Sequence, residues 1–417
     1  MPQILIIADD LTGAADAGAT FAQAGWRTLV ALRPAPRLPV SDVLVASTES
    51  RGLAREEAVA RVQLVARRLQ GTGLLRKTIY VYKKIDSTLR GYPGPELAAA
   101  MGVFGLKRVL VAPAFPAQGR TTVGGRQLVD GVPVERSVFG REVPCSELSI
   151  LFQPERKGKP PRLIGLESVR RGTDAVRAAL DASNTGLVIA DAETDADLNV
   201  IAQGALRCGV DLWCGSAGLA QALAQVLPRP ESKIPRPAVP PPPRGAILAV
   251  AGSRQPRTAR QVEVAQDWGV AVVYPALGLP EGEAASPERT IQRTARRLAD
   301  GEHVILTTAG LDDAPRGEQA MASRLASVVR ELAAGSWLGG LVLTGGDIAA
   351  AACAALEADA LWLHGETQPG IAWGVLLGGL LPGLPVVTKA GGFGTDETLV
   401  VAIRMLQDWK AEGLVSR

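Results

Sequence analysis

Ile4-Leu5-Ile6-Ile7-Ala8-Asp9-Asp10-Leu11-Thr12-Gly13-Ala14 is the stretch on which the fold turns. Five apolar residues bounded by polar ones read as a strand buried on both faces, the habit of parallel sheets. The strand delivers two adjacent carboxylates to its carboxyl end, where open α/β sheets bind ligands. Gly13 and the Ala-rich residues after it start a helix whose free N–H groups can face an anion. Two acids above a helix N-terminus suit a polyol or a metal-phosphate; a plain helix cap is the other reading of Asp10. The pattern points to a small polar substrate.

Outward from this strand the same alternation continues. Strands are expected at Thr28–Leu32, Val43–Ala46, Thr78–Lys83, Arg108–Ala112, Gly186–Ala190 and Asp211–Cys214, with helices at Ala54–Leu69 and Ala175–Ala182. From Leu227 to Arg244 the chain carries four scattered prolines and then Pro240 to Pro243 in succession, a run that favours extended polyproline geometry and reads as a connector. Beyond it, strands are expected at Ala246–Ala251, Val270–Val273, Val304–Thr307 and Leu341–Leu343. Helices are expected at Thr258–Trp268, Pro287–Leu298, Gln319–Ala333 and Thr395–Trp409. The expected fold is α/β, two lobes each with a mainly parallel sheet flanked by helices. The domains run 1–227 and 245–417, with a Pro-rich linker at 228–244. Gly119 to Pro160 is loop-rich and matches no element pattern.

The 417 residues are 47% hydrophobic and 21% charged, a globular composition, and the formal charge of +3 gives no nucleic-acid footprint. The uncharged stretch Ile371–Val387 is broken by glycines and prolines and reads as buried core, not a membrane span. With no leader-like N-terminus and four cysteines lacking metal-ligand spacing, a reduced, cytoplasmic protein is expected. Only His303 and His364 are present, so histidine-based chemistry is not indicated.

Three further patterns carry chemistry. Tyr82-Lys83-Lys84-Ile85-Asp86-Ser87-Thr88-Leu89-Arg90-Gly91 ends an apolar strand in two lysines, an acid, two hydroxyls and an arginine. Lys84 and Arg90 can hold a carboxylate, and Asp86 can accept from hydroxyls or act as a base. Arg51, in Ser47-Thr48-Glu49-Ser50-Arg51, comes to the same end of the sheet if the topology is right. The second lobe offers three glycine turns: Gly252-Ser253, Thr344-Gly345-Gly346-Asp347, and Lys389-Ala390-Gly391-Gly392-Phe393-Gly394-Thr395-Asp396. Together they suggest a nucleotide cleft. The common phosphate-loop signature is missing: Gly158-Lys159 is followed by Pro160, and Gly71-Thr72-Gly73 lacks its third glycine.

In these residues the chain resembles the four-carbon acid sugar kinase family. The matching motifs are Ala8–Ala14, Lys83–Gly91, Ala112-Pro113-Ala114-Phe115-Pro116, Gly119-Arg120-Thr121-Thr122, Gly215-Ser216-Ala217-Gly218-Leu219-Ala220, Thr344–Asp347 and Thr388–Gly394. They are collinear over almost the whole chain. The resemblance implies an N-terminal acid-sugar lobe and a C-terminal nucleotide lobe. It also implies ATP-dependent phosphorylation of the terminal hydroxyl of a tetronate (erythronate, threonate or an oxo-tetronate). By the same resemblance Ser253, the Gly345-Gly346-Asp347 turn and Gly391 contact ATP. Two departures fall in the first lobe: Tyr92 replaces an expected Asn ahead of Gly94 and Glu96, and Arg141-Glu142-Val143-Pro144 replaces an Arg-Asp-Pro segment.

A kinase reading needs positioning and charge neutralisation. Mg²⁺ on the ATP phosphates and the glycine-turn amides around Thr344 and Gly392 would supply the latter, although no metal ligands are identifiable. The base is Asp10 or Asp86; Asp9, Arg51, Lys84 and Arg90 bind the substrate. The expected partners are the acid sugar and ATP, with no nucleic acid and no membrane, and homo-oligomers are left open. A haloacid-dehalogenase-type phosphatase would need a second acid two residues after the first, where Leu11 stands. A non-catalytic nucleotide or sugar-acid sensor is the other alternative.

Overall fold

A computed structural model describes residues 3–33, 38–71, 80–153, 159–183, 186–229, 237–253, 255–275, 287–309 and 318–415. Its first strand, β1 (Ile4–Ala8), is buried along its whole length because it runs between two parallel neighbours. After β2 (Thr28–Ala31) come the parallel strands β3 (Val43–Ser47), β4 (Tyr80–Lys84) and β5 (Val109–Ala112). A small antiparallel sheet follows, β6 (Arg120–Val123), β7 (Arg126–Val129) and β8 (Val132–Pro133). Then β9 (Arg162–Ile164), β10 (Leu187–Ala190) and β11 (Leu212–Gly215) rejoin the parallel sheet, giving the order β3-β1-β4-β11-β5-β10-β9. The helices α1 (Leu11–Gln23), α2 (Arg55–Gly71) and α3 (Pro93–Phe104) occupy the crossovers that parallel pairing requires. One face of this sheet is filled by Val81, Leu97, Val109, Val111 and Leu212. Burying each such side chain contributes about 1.5–3 kcal/mol.

Chain contacts divide the protein into two units, Met1–Thr28 with Val40–Ile234, and Leu29–Pro39 with Pro235–Arg417. The second unit contains β12 (Ala246–Ala251), β13 (Ala271–Val273), β14 (Val304–Thr307), β15 (Leu338–Thr344), β16 (Ala360–Gln368), β17 (Ile371–Leu377) and β18 (Pro385–Lys389). Its order is β13-β14-β12-β15-β18-β17-β16-β2, parallel up to β18 and antiparallel from β18 to β16. Strand β2 thus takes its place beside β16, although the sequence reading counted 29–39 with the first lobe. Backbone donation from Leu32 to the Asp359 carbonyl (3.0 Å) and the Arg33–Asp359 ion pair (2.6 Å) fix it there. The stretch Ile371–Val387, expected as core, is two strands of this sheet. Within it, Gly374 is required because a Cβ would lie 2.2 Å from the Trp362 carbonyl oxygen.

Of the proline-rich stretch, 230–236 lies outside the described residues, as do Thr78 and Ile79 of the fourth expected strand, Thr72-Gly73, and 154–158 of the loop-rich segment. Among the described residues no helix is long and apolar enough to cross a membrane. None of the four cysteines forms a disulfide with another.

Candidate active site

Parallel register aligns the strand ends of the first unit. Ala8 of β1 pairs with Ser47 of β3 and Lys84 of β4, and Lys84 pairs with Gly215 of β11. The residues just past these ends, Asp9, Asp10, Arg51 and Asp86, therefore meet.

Asp10 caps α1, its carboxylate accepting from the Gly13 amide and from Thr12 Oγ1, both at 2.8 Å. It does more than cap. Arg51 reaches over both acids, donating from Nε and Nη2 to Asp9 (2.9 Å each) and from Nη1 and Nη2 to Asp10 (2.6 and 2.8 Å). Asp86 lies 3.9 Å from the same guanidinium. Burial works against the Arg51 charge, but Asp10, Asp9 and Asp86 push its pKa well above the ordinary arginine value. Burial likewise would raise Asp9, and Arg51 with Lys83 and Lys84 holds it below the usual carboxylate range. Four of the five N–H donors of Arg51 are thereby engaged.

Asp86 faces a second guanidinium. Arg90 donates to it from Nε (2.8 Å) and Nη2 (3.2 Å), and Thr88 Oγ1 adds a short bond. Against the upward push of burial, Arg90 and Arg51 keep this carboxyl well below its ordinary value. Arg90 also lies 5.6 Å from the centre of the Phe139 ring, which carries Arg120 at 5.8 Å.

The two lysines diverge because successive strand residues face opposite ways. Lys83 is fully buried in an ion pair with Glu96 of α3 (2.9 Å), which gives both a structural role. Lys84 Nζ donates to the Ile85 carbonyl (3.0 Å) and sits over Gly13, where a Cβ would come within 2.9 Å of it and 2.6 Å of Asp10 Oδ1. Gly13 is the notch that admits Lys84 beside Asp10. Tyr92, the departure from the family pattern, starts α3 without a side-chain cap. Two residues on, Gly94 is held by close packing, a Cβ there falling 1.8 Å from the Leu151 carbonyl oxygen.

The second unit repeats the arrangement with glycine turns. Register places Ala251 beside Thr344 and Thr344 beside Lys389, so the turns after β12, β15 and β18 lie side by side. Gly391 approaches Ser253 so closely that a Cβ would be 2.0 Å from its Oγ. Thr258 Oγ1 donates to the Gly391 carbonyl (2.9 Å), and Gln261 Nε2 holds the carbonyls of Phe393 (3.1 Å) and Thr395 (2.8 Å). Gly345 takes φ 104°, a glycine conformation, and opens the helix Gly346–Ala355 with Asp347 in its first turn. A Cβ at Gly392 would meet nothing. The buried Thr344 Oγ1 has no hydrogen-bond partner among the described residues. Beneath the turn Lys389, fully buried, donates to the carbonyls of Ala390 (3.1 Å) and Gly391 (3.2 Å). Burial, with Arg257 nearby, pulls its pKa down to about 7.

All six charged residues expected in the first lobe, Asp9, Asp10, Arg51, Lys84, Asp86 and Arg90, are thus in one cluster, and Ser253, Thr344–Asp347 and Gly391-Gly392 are in another. Sequence reasoning missed three neighbours. Asp16 is a lone acid among the small buried residues of α1. Phe139 sits in the segment that matched no element, and Lys389 was quoted only as the start of a turn. A charged residue within an otherwise apolar or small-residue run was the available signal for the first and third.

Mainly parallel strands with charged and glycine-rich ends define a two-unit α/β ligand-binding protein. A family model described as a sugar-binding N-terminal domain matches residues 4–223, and one described as a nucleotide-binding C-terminal domain matches 248–399. The chain is 34% identical to a D-threonate kinase of Salmonella typhimurium, across 97% of this chain and 99% of that one. It is 36% identical to a D-threonate kinase of Cupriavidus necator (98% and 99%) and 32% identical to a D-erythronate kinase of Heliobacterium modesticaldum (97% of each). A solved structure from Salmonella typhimurium LT2 shares the fold, with a TM-score of 0.79 at 20% identity over 96% of this chain and 98% of that one. The chain belongs to the four-carbon acid sugar kinase family.

Proposed function

We propose that this four-carbon acid sugar kinase binds its sugar acid at the Asp9–Asp10–Lys84–Asp86–Arg90 cluster and its ATP at the three glycine turns, and phosphorylates the terminal hydroxyl. D-threonate and D-erythronate are the substrates the relatives' names favour. The observation that carries the placement is donor availability. Lys84 Nζ donates to the Ile85 carbonyl, and Arg90 spends Nε and Nη2 on Asp86, so both retain N–H groups for a substrate carboxylate. Arg51 is largely committed to Asp9 and Asp10, and its role is to hold those two carboxylates in place for hydroxyls. Asp10 and Asp86 are the two candidate bases, and guanidinium donors hold both carboxylates: Arg51 at Asp10, and Arg90 with Arg51 nearby at Asp86. Asp10, at the helix N-terminus, is the preferred base.

At the other site, glycine amides of Gly345-Gly346 and Gly391-Gly392 approach the phosphates, with Ser253 and Thr344 as hydroxyl ligands. Among the described residues no three His, Cys, Asp or Glu side chains gather to hold a metal. Mg²⁺ that arrives on the phosphates needs only one or two carboxylates, and Asp347 in the β15 turn is suited to that. Bound there, the ion supplies neutralisation of phosphate charge.

The test is ADP release over D-threonate, D-erythronate and 3-oxo-tetronate stereoisomers with ATP and Mg²⁺. Turnover is expected on at least one four-carbon acid and not on the corresponding neutral tetritol. Equal turnover on the tetritol would remove the carboxylate site.

A further inference from the structure

Asp16 is a buried acid in the body of α1. It lies one turn beyond Gly13 on the same face of α1, the spacing at which helical residues are neighbours. It is 6% exposed, and its Oδ1 is buried with no hydrogen-bond partner among the described residues. An unpaired buried carboxylate is costly unless it is neutralised by a partner or a proton. The groups that bear on it are Lys84 from the end of β4, Asp10 at the start of its own helix, Arg51 after β3, Asp86 after β4, and the Tyr82 hydroxyl within β4. The helix Ala217–Val226, packed against α1, contributes no titratable side chain.

The charges of this cluster decide what Asp16 does. Asp9, Asp10 and Asp86 are balanced by Arg51, Lys84 and Arg90, while Lys83 is balanced separately by Glu96. With Asp16 ionised the cluster carries an excess negative charge; with Asp16 protonated it is neutral. An incoming carboxylate adds one more negative charge and draws on Lys84, the cation that most favours Asp16 in its ionised form. Neutralising Asp16 removes that competition.

We propose that Asp16 is the proton acceptor of this cluster: when the acid sugar binds, any Asp16 carboxylate still ionised takes a proton from solvent. The inference rests on the placement of the sugar acid in this cluster. Desolvation, opposed chiefly by Lys84 and reinforced by Asp10, raises the Asp16 pKa to about 7, so the free site is about half-protonated at neutrality. The sugar acid's own carboxyl is fully ionised there and exchanges no protons on binding.

The experiment is calorimetric titration of the full chain, at pH 7, with whichever of D-threonate and D-erythronate it turns over, in two buffers of different ionisation enthalpy. Wild type is expected to absorb about half a proton per ligand. Asp16→Asn is expected to absorb none. If only the protonated form binds, KM for the sugar acid rises about fivefold from pH 7 to pH 8 in wild type. It stays flat in Asp16→Asn, and KM for ATP follows the same course in both. A wild-type titration with no proton uptake overturns the inference without recourse to any variant, as does uptake that persists in Asp16→Asn. Lys84→Ala separates the two layers. A raised KM without proton linkage in wild type sinks Asp16 alone, and an unchanged KM sinks the sugar-acid placement and Asp16 with it.

Discussion

Lys389→Met replaces a fully buried ammonium with an apolar side chain of similar length, and its effect on stability should depend on pH in a way that few substitutions do. Among the described residues no carboxylate pairs with Lys389; it donates to the carbonyls of Ala390 and Gly391. Its pKa of about 7 in the folded protein lies below the 10.5 of a free lysine. Between those values the unfolded chain binds the proton and the folded one does not, so stability rises with pH. It is lost as pH falls through the folded value. The slope approaches about 1.4 kcal/mol per pH unit, and from pH 7 to pH 9 it sums to about 2 kcal/mol. At any single pH the variant also loses two hydrogen bonds, at about 1 kcal/mol each, so the absolute difference mixes opposing effects. The slope isolates the titration. Urea unfolding followed by tryptophan fluorescence suits the measurement: of the seven tryptophans only Trp26 and Trp213 lie in the first unit. Wild type should gain about 2 kcal/mol on Lys389→Met between pH 7 and pH 9. A difference that stays constant over that range would show that Lys389 titrates normally, and a buried cation without a carboxylate partner beneath the glycine turn would no longer be destabilising.

Other substitutions test the two sites directly. Lys84→Ala and Arg90→Ala should each raise KM for the sugar acid by roughly 10–100-fold, the loss of a charge-assisted bond of about 1.5–3 kcal/mol, while KM for ATP barely moves; steady-state kinetics with each substrate varied in turn decides. Gly391→Ala should raise KM for ATP by roughly tenfold or more, because the new Cβ would collide with Ser253 Oγ. Unchanged ATP kinetics would place the nucleotide elsewhere. Asp10→Asn should depress single-turnover phosphorylation by about 10²–10⁴-fold, whereas Asp86→Asn should act mainly on sugar-acid affinity. The reverse pattern would make Asp86 the base.

The strands that could be read from the sequence are those whose chemistry is uniform. Ile4–Ala8 and Ala246–Ala251 are unbroken apolar runs, and Val304–Thr307 is apolar up to its closing Thr307; all three are fully buried, and their ends were legible to the residue. Strands β6 to β8 are two to four residues long and carry Arg, Thr and Gln, so no period marks them. Strand β16 mixes His364, Glu366 and Thr367 with its apolar residues, and β17 is interrupted by Gly374; neither gives a clean alternation. The candidate site was legible where it hangs on strand ends, since parallel topology gathers such residues wherever they lie in the chain. Arg51 could be placed near Asp9 by that rule, but its grip on both carboxylates could not, because the two bidentate contacts depend on side-chain reach. Asp16 and Lys389 were hidden for a different reason. Their properties come from burial, and a helix or strand pattern does not say how deeply a polar side chain in it is buried.

The placement of β2 means that the second unit is built from two separate pieces of the chain. Its sheet ends with a strand translated about two hundred residues before Pro235, where the rest of the unit begins. Without Leu29–Pro39, β16 would present an unpaired edge, the kind of surface that recruits strands from other chains. A fragment cut at the proline-rich stretch would carry that open edge permanently. Grafting Leu29–Pro39 onto such a fragment, in the manner of a circular permutation, would close it.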